Sequence, residues 1–227
     1  MCYDLVIFDC DGTLVDSEYL NIKAIVSFLN DFGIHDYDIE YGLSHFSGFR
    51  FSAIIGKIAQ ETGFTFPDNA SKLYLSKVRA LASTDMKRIE NADKMVECAS
   101  RNTKVCVVSN GERQNVLSSI HFAGLDTFFP DQNVISGLMA PNPKPAPDLF
   151  LLAAQQHDVS PHKCLVIEDS SAGVTGAHAA NMDVWGFCGT HHAPKEHADA
   201  LIKAGAEKTF LSMQDMIETF QSRLDKI

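Results

Sequence analysis

Several short stretches of the sequence place carboxylate, hydroxyl and amine groups next to apolar runs. The first stretch holds Asp9 and Asp11, followed by Gly12, which allows the chain to turn sharply. Residues two apart in an extended chain point to the same side, so both carboxylates can face one site. One of them can stay ionised as a nucleophile or metal ligand while the other serves as acid and base. Taken alone, the pattern is also typical of a surface turn.

Two further stretches carry groups that suit a phosphate. In Ser109, Asn110 and Gly111, a hydroxyl and exposed backbone N–H groups can hold phosphate oxygens. Lys144 lies in Pro141–Pro147, where every second residue is proline, so the backbone that carries the lysine is stiff. A fixed ammonium beside acidic groups can neutralise a phosphoryl oxygen or the nucleophile. Each stretch by itself is equally typical of a turn or a rigid connector.

A second acidic pair, Glu168 and Asp169, precedes Ser170 and Ser171. Two adjacent carboxylates suit a hard cation such as Mg²⁺, which prefers oxygen ligands. The alternative is that Asp169 or one of the two serines caps a following helix. Because open parallel sheets bind ligands at the carboxyl ends of their strands, groups that follow separate strands can assemble into one site.

Apolar runs predict the strands that would position these groups. They are Leu5–Phe8, Val105–Val108, Leu165–Ile167 and Val184–Phe187. None alternates with polar residues, as expected when helices cover both faces of a strand. Helices are predicted over Asp148–His157 and Ala172–Ala180, with Asn181 placed for a left-handed cap. This alternation predicts an α/β fold with a doubly wound parallel sheet.

The alternation stops between residues 16 and 87, where three amphipathic helices are predicted. Apolar residues keep helical spacing over Ile22–Phe32, Ile54–Ala59 and Tyr74–Ala82. We therefore expect residues 1–15 and 88–227 to form an α/β core. Residues 16–87 are expected to form an inserted helical cap domain.

Four ordered motifs resemble those of the haloacid dehalogenase superfamily, in the subgroup that includes β-phosphoglucomutase and many sugar-phosphate phosphatases. They are FDCDGTLVDSE (Phe8–Glu18), VVSNG (Val107–Gly111), KPAPD (Lys144–Asp148) and IEDSSAG (Ile167–Gly173). The resemblance runs from Asp4 to about Phe187 and is weakest in the helical insert. It implies a Rossmann-like core, a helical cap and a phosphatase that acts through an aspartyl-phosphate.

The resemblance also assigns roles to the motif residues. It implies that Asp9 is the nucleophile and Asp11 the general acid and base. Ser109 would bind the transferring phosphoryl group, and Lys144 would neutralise charge around it. Relatives that act as dehalogenases or phosphonatases lack an acid two residues after the nucleophile, so Asp11 favours C–O–P substrates.

By the same resemblance, Mg²⁺ is expected on a carboxylate oxygen of Asp9, the backbone carbonyl of Asp11, and Asp169. Glu168 would be a ligand through water or a support for the metal ligands. Arg50, before the second predicted cap helix, is a candidate for contacting the distal end of the substrate. The alternative for Arg50 is a solvated surface charge.

Composition and charge limit the classes of binding partner. The 227 residues carry a formal net charge of −10, which disfavours nucleic acid and anionic membranes as partners and leaves a small phosphorylated metabolite. The first residues lack a basic region, and no run approaches the ~20 apolar residues of a membrane span. We expect a cytoplasmic monomer. His191, His192 and His197 form a loose cluster, for which a solvated surface loop is favoured over a metal site.

Three alternatives remain open to the sequence. A sugar-phosphate mutase would use the same aspartyl-phosphate but return the phosphoryl group to its substrate. A non-enzymatic, phospho-accepting receiver-like signalling domain fits less well, because its accepting aspartate lies on a middle strand and no large insert follows the first. A catalytically inactive binding protein is not favoured, because every motif residue is present.

Overall fold

The computed structural model describes residues 3–47, 49–191 and 193–224. Gly48 and His192, one member of the histidine cluster, lie outside the described residues. The chain divides into two compact units. Met1–Asp16 and Lys87–Ile227 form one, here called the α/β unit, and Ser17–Met86 form the other, the helical unit.

Apolar segments of the α/β unit pair into a six-stranded sheet. The strands, in chain order, are β1 (Leu5–Phe8), β2 (Val15–Asp16), β3 (Lys87–Arg88), β4 (Lys104–Ser109), β5 (Val134–Ser136), β6 (Cys164–Glu168), β7 (Asp183–Phe187) and β8 (Lys208–Phe210). The sheet order is β5-β4-β1-β6-β7-β8, and all of these strands are parallel, whereas β2 and β3 form a separate antiparallel pair. The carboxyl ends of the neighbouring strands β4, β1 and β6 therefore lie side by side at the same end of the sheet.

Helices alternate with these strands in the α/β unit. They are α5 (Ala92–Ser100), α6 (Arg113–Phe122), α7 (Asp148–Gln156), α8 (Ser171–Ala179), α9 (Pro194–Ala204) and α10 (Met213–Leu224). The helical unit, which comes earlier in the chain, contains α1 (Ser17–Asp31), α2 (Ile39–His45), α3 (Phe51–Thr62) and α4 (Ala70–Asp85). None of the helices in the described part of the chain combines the length and the apolar character that a membrane crossing requires.

Both faces of the sheet are buried. Leu5 and Ile7 of β1 pack in a core with residues of α7, α8 and α9. Phe8 belongs to the opposite face, where its ring packs edge-on against Phe129 with 5.9 Å between centroids. On β7, the ring of the fully buried Trp185 meets Phe220 of α10 at 6.3 Å. The predicted doubly wound α/β fold is confirmed.

The four predicted strands all lie within strands of the sheet, and Asn181 takes the predicted left-handed conformation, with φ of 58°. The sequence prediction did not include β5 and β8, which have three residues each and form the two edges of the sheet. β5 contains only two apolar residues and β8 only one, so neither forms an apolar run that indicates a buried strand.

The helical unit is built around an aromatic core. Phe28 of α1 is fully buried, and the rings of Phe32, Phe51 and Phe66 lie 4.9, 5.1 and 5.7 Å from it. The helices predicted over Ile54–Ala59 and Tyr74–Ala82 lie within α3 and α4. The one predicted over Ile22–Phe32 lies within α1 except for Phe32, because α1 ends at Asp31. The seven-residue α2 was not predicted; Asp38 caps it by accepting a hydrogen bond from the backbone N–H of Tyr41 at 2.7 Å.

We predict that Phe28→Ala destabilises the protein by about 3–5 kcal/mol, because the substitution leaves a cavity within the aromatic core. Urea unfolding of the full-length chain measures the change. The matched control is Phe49→Ala, whose ring is 66% exposed, with an expected change within about 0.5 kcal/mol. Equal stability of the two variants would contradict this account of the core.

Candidate active site

The first acidic pair follows β1 at the centre of the sheet. The backbone N–H of Asp9 continues the strand pairing by donating to the carbonyl of Ile167 at 2.9 Å. Gly12 has a φ of 82°, a conformation that favours glycine, and its N–H donates to the carbonyl of Val15 at 2.8 Å. Asp9 is buried and Asp11 is exposed. One carboxylate is therefore shielded from water while the other faces it.

Lys144 joins the two acidic stretches. Its ammonium donates to Asp9 Oδ1 at 2.5 Å, to Glu168 Oε1 at 2.6 Å and to the carbonyl of Val108 at 2.8 Å. The lysine is 6% exposed and Glu168 is completely buried. Burial lowers the pKa of Lys144, but the adjacent Asp9 and Glu168 carboxylates outweigh burial, so the pKa is raised and the ammonium stays charged.

Asn110 holds the backbone of Lys144. Its Oδ1 accepts from the Lys144 N–H at 2.8 Å, and its Nδ2 donates to the Lys144 carbonyl at 3.1 Å. The side chain of Asn110 is thus engaged with the lysine loop, whereas the phosphate contact expected from the sequence involves the backbone N–H groups of this stretch. Beside it, the buried Ser109 hydroxyl accepts from the N–H of Gly111 at 3.0 Å.

Glu168 is fixed from its other side by the start of α8. Its Oε2 accepts from the backbone N–H of Ser170 at 2.7 Å and from the Ser170 hydroxyl at 2.9 Å. The same hydroxyl caps α8 by accepting from the N–H of Gly173 at 3.0 Å. A Cβ on Gly173 would lie 1.7 Å from Glu168 Oε1. Protein donors therefore contact both oxygens of Glu168, which favours a supporting role for it.

Carboxylate oxygens of Asp9, Glu168 and Asp169 lie within 4.8 Å of one another, close enough to share a cation. Asp169 also approaches the first acidic loop, because a Cβ on Gly12 would lie 2.0 Å from Asp169 Oδ2. An all-oxygen set of this kind fits a hard divalent ion such as Mg²⁺.

The charges around Asp9 also favour a cation at this site. Burial is the largest cause that raises the pKa of Asp9; Lys144 lowers this pKa, and the neighbouring carboxylates of Asp11, Glu168 and Asp169 raise it. Burial likewise raises the pKa of Asp169, with Glu168 as the next cause. These four carboxylates outnumber the single buried lysine, which contacts two of them, and a bound divalent cation would offset the excess negative charge.

Sequence reasoning missed the loop that follows β7. His191 and His197 were interpreted as members of a solvated surface loop, but both are partly buried, and their rings lie beside Asp169. The rule that ligands bind after the carboxyl ends of strands would have included this loop, because β7 ends at Phe187, only four residues before His191.

Arg50 belongs to the helical unit. It is exposed, immediately precedes α3, and lines a cavity of 410 Å³ in that unit together with Glu18, Asn21 and Tyr74. The Tyr74 hydroxyl donates to Asn21 Oδ1 at 3.0 Å, and the Tyr74 ring stacks on Phe51 with 4.2 Å between centroids. Arg50 therefore borders a cavity with both polar and aromatic walls.

Comparison with known proteins gives consistent matches over most of the chain. Residues 6–187 match the family described as haloacid dehalogenase-like hydrolase. A 6-phosphogluconate phosphatase from Escherichia coli strain K12 is 31% identical over 222 residues, which cover 97% of this chain and 96% of that protein.

Solved structures agree. A conserved haloacid dehalogenase-like protein of unknown function from Agrobacterium tumefaciens strain C58 has a TM-score of 0.79 at 32% identity, covering 98% of this chain and 99% of that one. A HAD family hydrolase from Deinococcus radiodurans R1, with bound phosphate and sodium, has a TM-score of 0.78 at 29% identity, covering 94% and 93%.

The raised pKa values predict how the stability of the metal-free protein depends on pH. Between the ordinary aspartate pKa and the raised values of Asp9 and Asp169, the folded protein binds more protons than the unfolded chain. The stability of the metal-free protein therefore falls as pH rises through this interval. We expect Mg²⁺ to raise the melting temperature more at about pH 8 than at about pH 5.

Thermal unfolding in EDTA and in excess Mg²⁺ measures both effects. Asp169→Asn is the control, since it removes one carboxylate and should flatten the pH dependence of the metal-free protein. A variant with the same pH dependence as the original chain would exclude Asp169 as its source.

Proposed function

We propose that this chain, which belongs to the haloacid dehalogenase-like hydrolase family and is a phosphoric monoester hydrolase, removes phosphate from a sugar phosphate or phosphorylated sugar acid with Mg²⁺ as cofactor. Family membership confirms the resemblance inferred from the four motifs. The observation that carries the proposal is the buried ammonium of Lys144 between Asp9 and Glu168, at the carboxyl ends of adjacent strands. The E. coli relative is named for a phosphorylated sugar acid, which supports the substrate class.

In the proposed reaction, Asp9 is the nucleophile. Its carboxylate attacks phosphorus, the bond from phosphorus to the sugar oxygen breaks, and an aspartyl-phosphate forms. Asp11, which is exposed and two residues away, protonates the departing sugar oxygen. Asp11 then takes a proton from the water that attacks phosphorus, which releases phosphate and restores Asp9.

The remaining groups bind and orient the phosphoryl group. The Ser109 hydroxyl and the backbone N–H groups of Asn110 and Gly111 contact its oxygens. Lys144 lowers the pKa of Asp9, which favours its ionised form, and offsets charge on the phosphoryl group. The structure from D. radiodurans holds phosphate and a cation, which supports a site of this kind.

Asp9, Asp169 and the carbonyl of Asp11 would hold Mg²⁺, with Glu168 as a support or a ligand through water. The ion supplies positive charge beside the transferring phosphoryl group when it is bound. The fit of the three-carboxylate set to a hard cation supports this assignment.

We propose that the helical unit is a cap that selects the substrate, and that Arg50 contacts the end of the substrate distant from the phosphate. A guanidinium pairs well with a carboxylate, and the polar wall of the 410 Å³ cavity suits the hydroxyls of a sugar.

The proposed enzyme is a cytoplasmic monomer. Its net charge of −10 supports a small metabolite, rather than nucleic acid or a membrane, as its partner.

We predict Mg²⁺-dependent phosphate release from at least one compound in a panel of sugar phosphates and phosphorylated sugar acids. Phosphate is measured colorimetrically, and Asp9→Asn should abolish release because the amide is not a nucleophile. Conversion of glucose 1-phosphate to glucose 6-phosphate without phosphate release would show that the protein is a mutase and not a phosphatase. A folded protein that binds Mg²⁺ but acts on nothing in the panel would refute the proposed substrate class.

We predict that Asn110→Ala lowers kcat about 10- to 100-fold, with a smaller change in KM, because the backbone that carries Lys144 loses both of its hydrogen bonds to Asn110. Steady-state kinetics on the best substrate of the panel measure the two constants. Asn142→Ala is the matched control: this exposed residue lies in the same loop, but its amide donates to the side chain of Asp148 and not to the backbone of Lys144. Equal kinetics of the two variants would refute a positioning role for Asn110.

A further inference from the structure

The loop after β7 contacts both acidic loops of the active site. The Thr190 hydroxyl donates to the carbonyl of Gly12 at 3.2 Å, although the two residues lie 178 positions apart in the chain. Gly12 in turn lies against the carboxylate of Asp169, since a Cβ at this glycine would meet Asp169 Oδ2 at 2.0 Å. The loop is therefore joined to the edge of the sheet where the phosphoryl group is expected.

His197, in the first turns of α9, contacts the backbone of Asp169. Its Nε2 lies 2.5 Å from the Asp169 carbonyl oxygen. A carbonyl oxygen only accepts, so Nε2 carries the hydrogen and donates it. This bond fixes the peptide group that follows Asp169, and with it the direction in which the Asp169 side chain leaves the backbone.

His191 contacts the side chain of the same aspartate. Its Nε2 lies 3.5 Å from Asp169 Oδ2, and its ring stacks on His197 with 3.4 Å between centroids and 16° between planes. One histidine thus holds the backbone of Asp169, and the other lies against its carboxylate. The stacking couples the positions of the two imidazoles.

We propose that His191 and His197 are positioning residues that hold Asp169 in the orientation needed to bind the divalent cation. The inference rests on the proposed function, because it takes Asp169 as a metal ligand. Partners of a metal ligand orient it, and their removal typically weakens metal binding by 10- to 100-fold. Neither histidine touches the reacting atoms in this proposal, and both act through Asp169.

Binding of Mn²⁺ alone to the full-length protein tests the proposal, with free Mn²⁺ read by electron paramagnetic resonance and Mg²⁺ added as competitor. We expect His197→Ala to raise the dissociation constant about tenfold or more. His197→Gln keeps an N–H donor and should recover most of the affinity. His162→Ala is the matched control: this exposed histidine lies in a short 3₁₀ helix before β6, and the variant should bind Mn²⁺ as the unsubstituted protein does.

His191→Phe keeps an aromatic ring for stacking but has no nitrogen beside Asp169, so we expect weaker Mn²⁺ binding with an unchanged melting temperature without metal. This variant decides the question if His197→Ala does not fold. Normal Mn²⁺ binding by both folded variants would overturn the positioning role while the proposed function stands. Equal loss of affinity in the Ala and Gln variants, with a lowered melting temperature, would also overturn it by showing a purely structural role.

Metal binding by the unsubstituted protein distinguishes failure of the proposed cofactor from failure of the proposed positioning role. If it binds neither Mn²⁺ nor Mg²⁺, the proposed cofactor is wrong, and the positioning role that depends on it falls as well. If it binds both ions and only the histidine variants bind weakly, both proposals are supported.

Discussion

One buried ammonium holds the candidate active site together. Lys144 donates all three of its hydrogens to groups at the carboxyl ends of β1, β4 and β6, two of them carboxylates. A buried charge is tolerated only when it is paired and hydrogen-bonded, so these contacts depend on one another. Without the lysine, Asp9 and Glu168 would face each other without compensation. With it, the pKa of Asp9 is lower than burial alone would make it, in a site that is largely closed to water.

This pairing requires that few of its members can move. Asn110 binds both backbone groups of Lys144, and Ser170 binds the oxygen of Glu168 that the lysine does not contact. Gly12 and Gly173 lie so close to the carboxylates that neither has room for a Cβ. Catalysis of phosphoryl transfer is mostly positioning and electrostatic stabilisation, and in the proposed function these contacts would serve both. The acids remain in excess over the lysine, which is the electrostatic reason to expect a divalent cation.

The strands next to the reacting groups were predictable because they are buried on both faces. β1, β4, β6 and β7 appear in the sequence as continuous apolar runs for that reason, and the parallel doubly wound fold follows from their alternation with helices. The edge strands β5 and β8 contain only two apolar residues and one apolar residue, which is too short a pattern. In the helical unit, the seven-residue α2 escaped prediction for the same reason, whereas the longer helices did not.

The sequence by itself determined the family, the fold class and the identity of the candidate reacting groups, because residue type and position after a strand are local properties. Only the tertiary structure decided which groups touch. Asp9 and Lys144 are 135 positions apart and Asn110 and Lys144 are 34 apart, so their hydrogen bonds depend on the order and register of the sheet. The same holds for His197 and Asp169, which meet because β6 and β7 are neighbours. Contacts between distant positions have no local pattern, and the folded sheet alone brings them together.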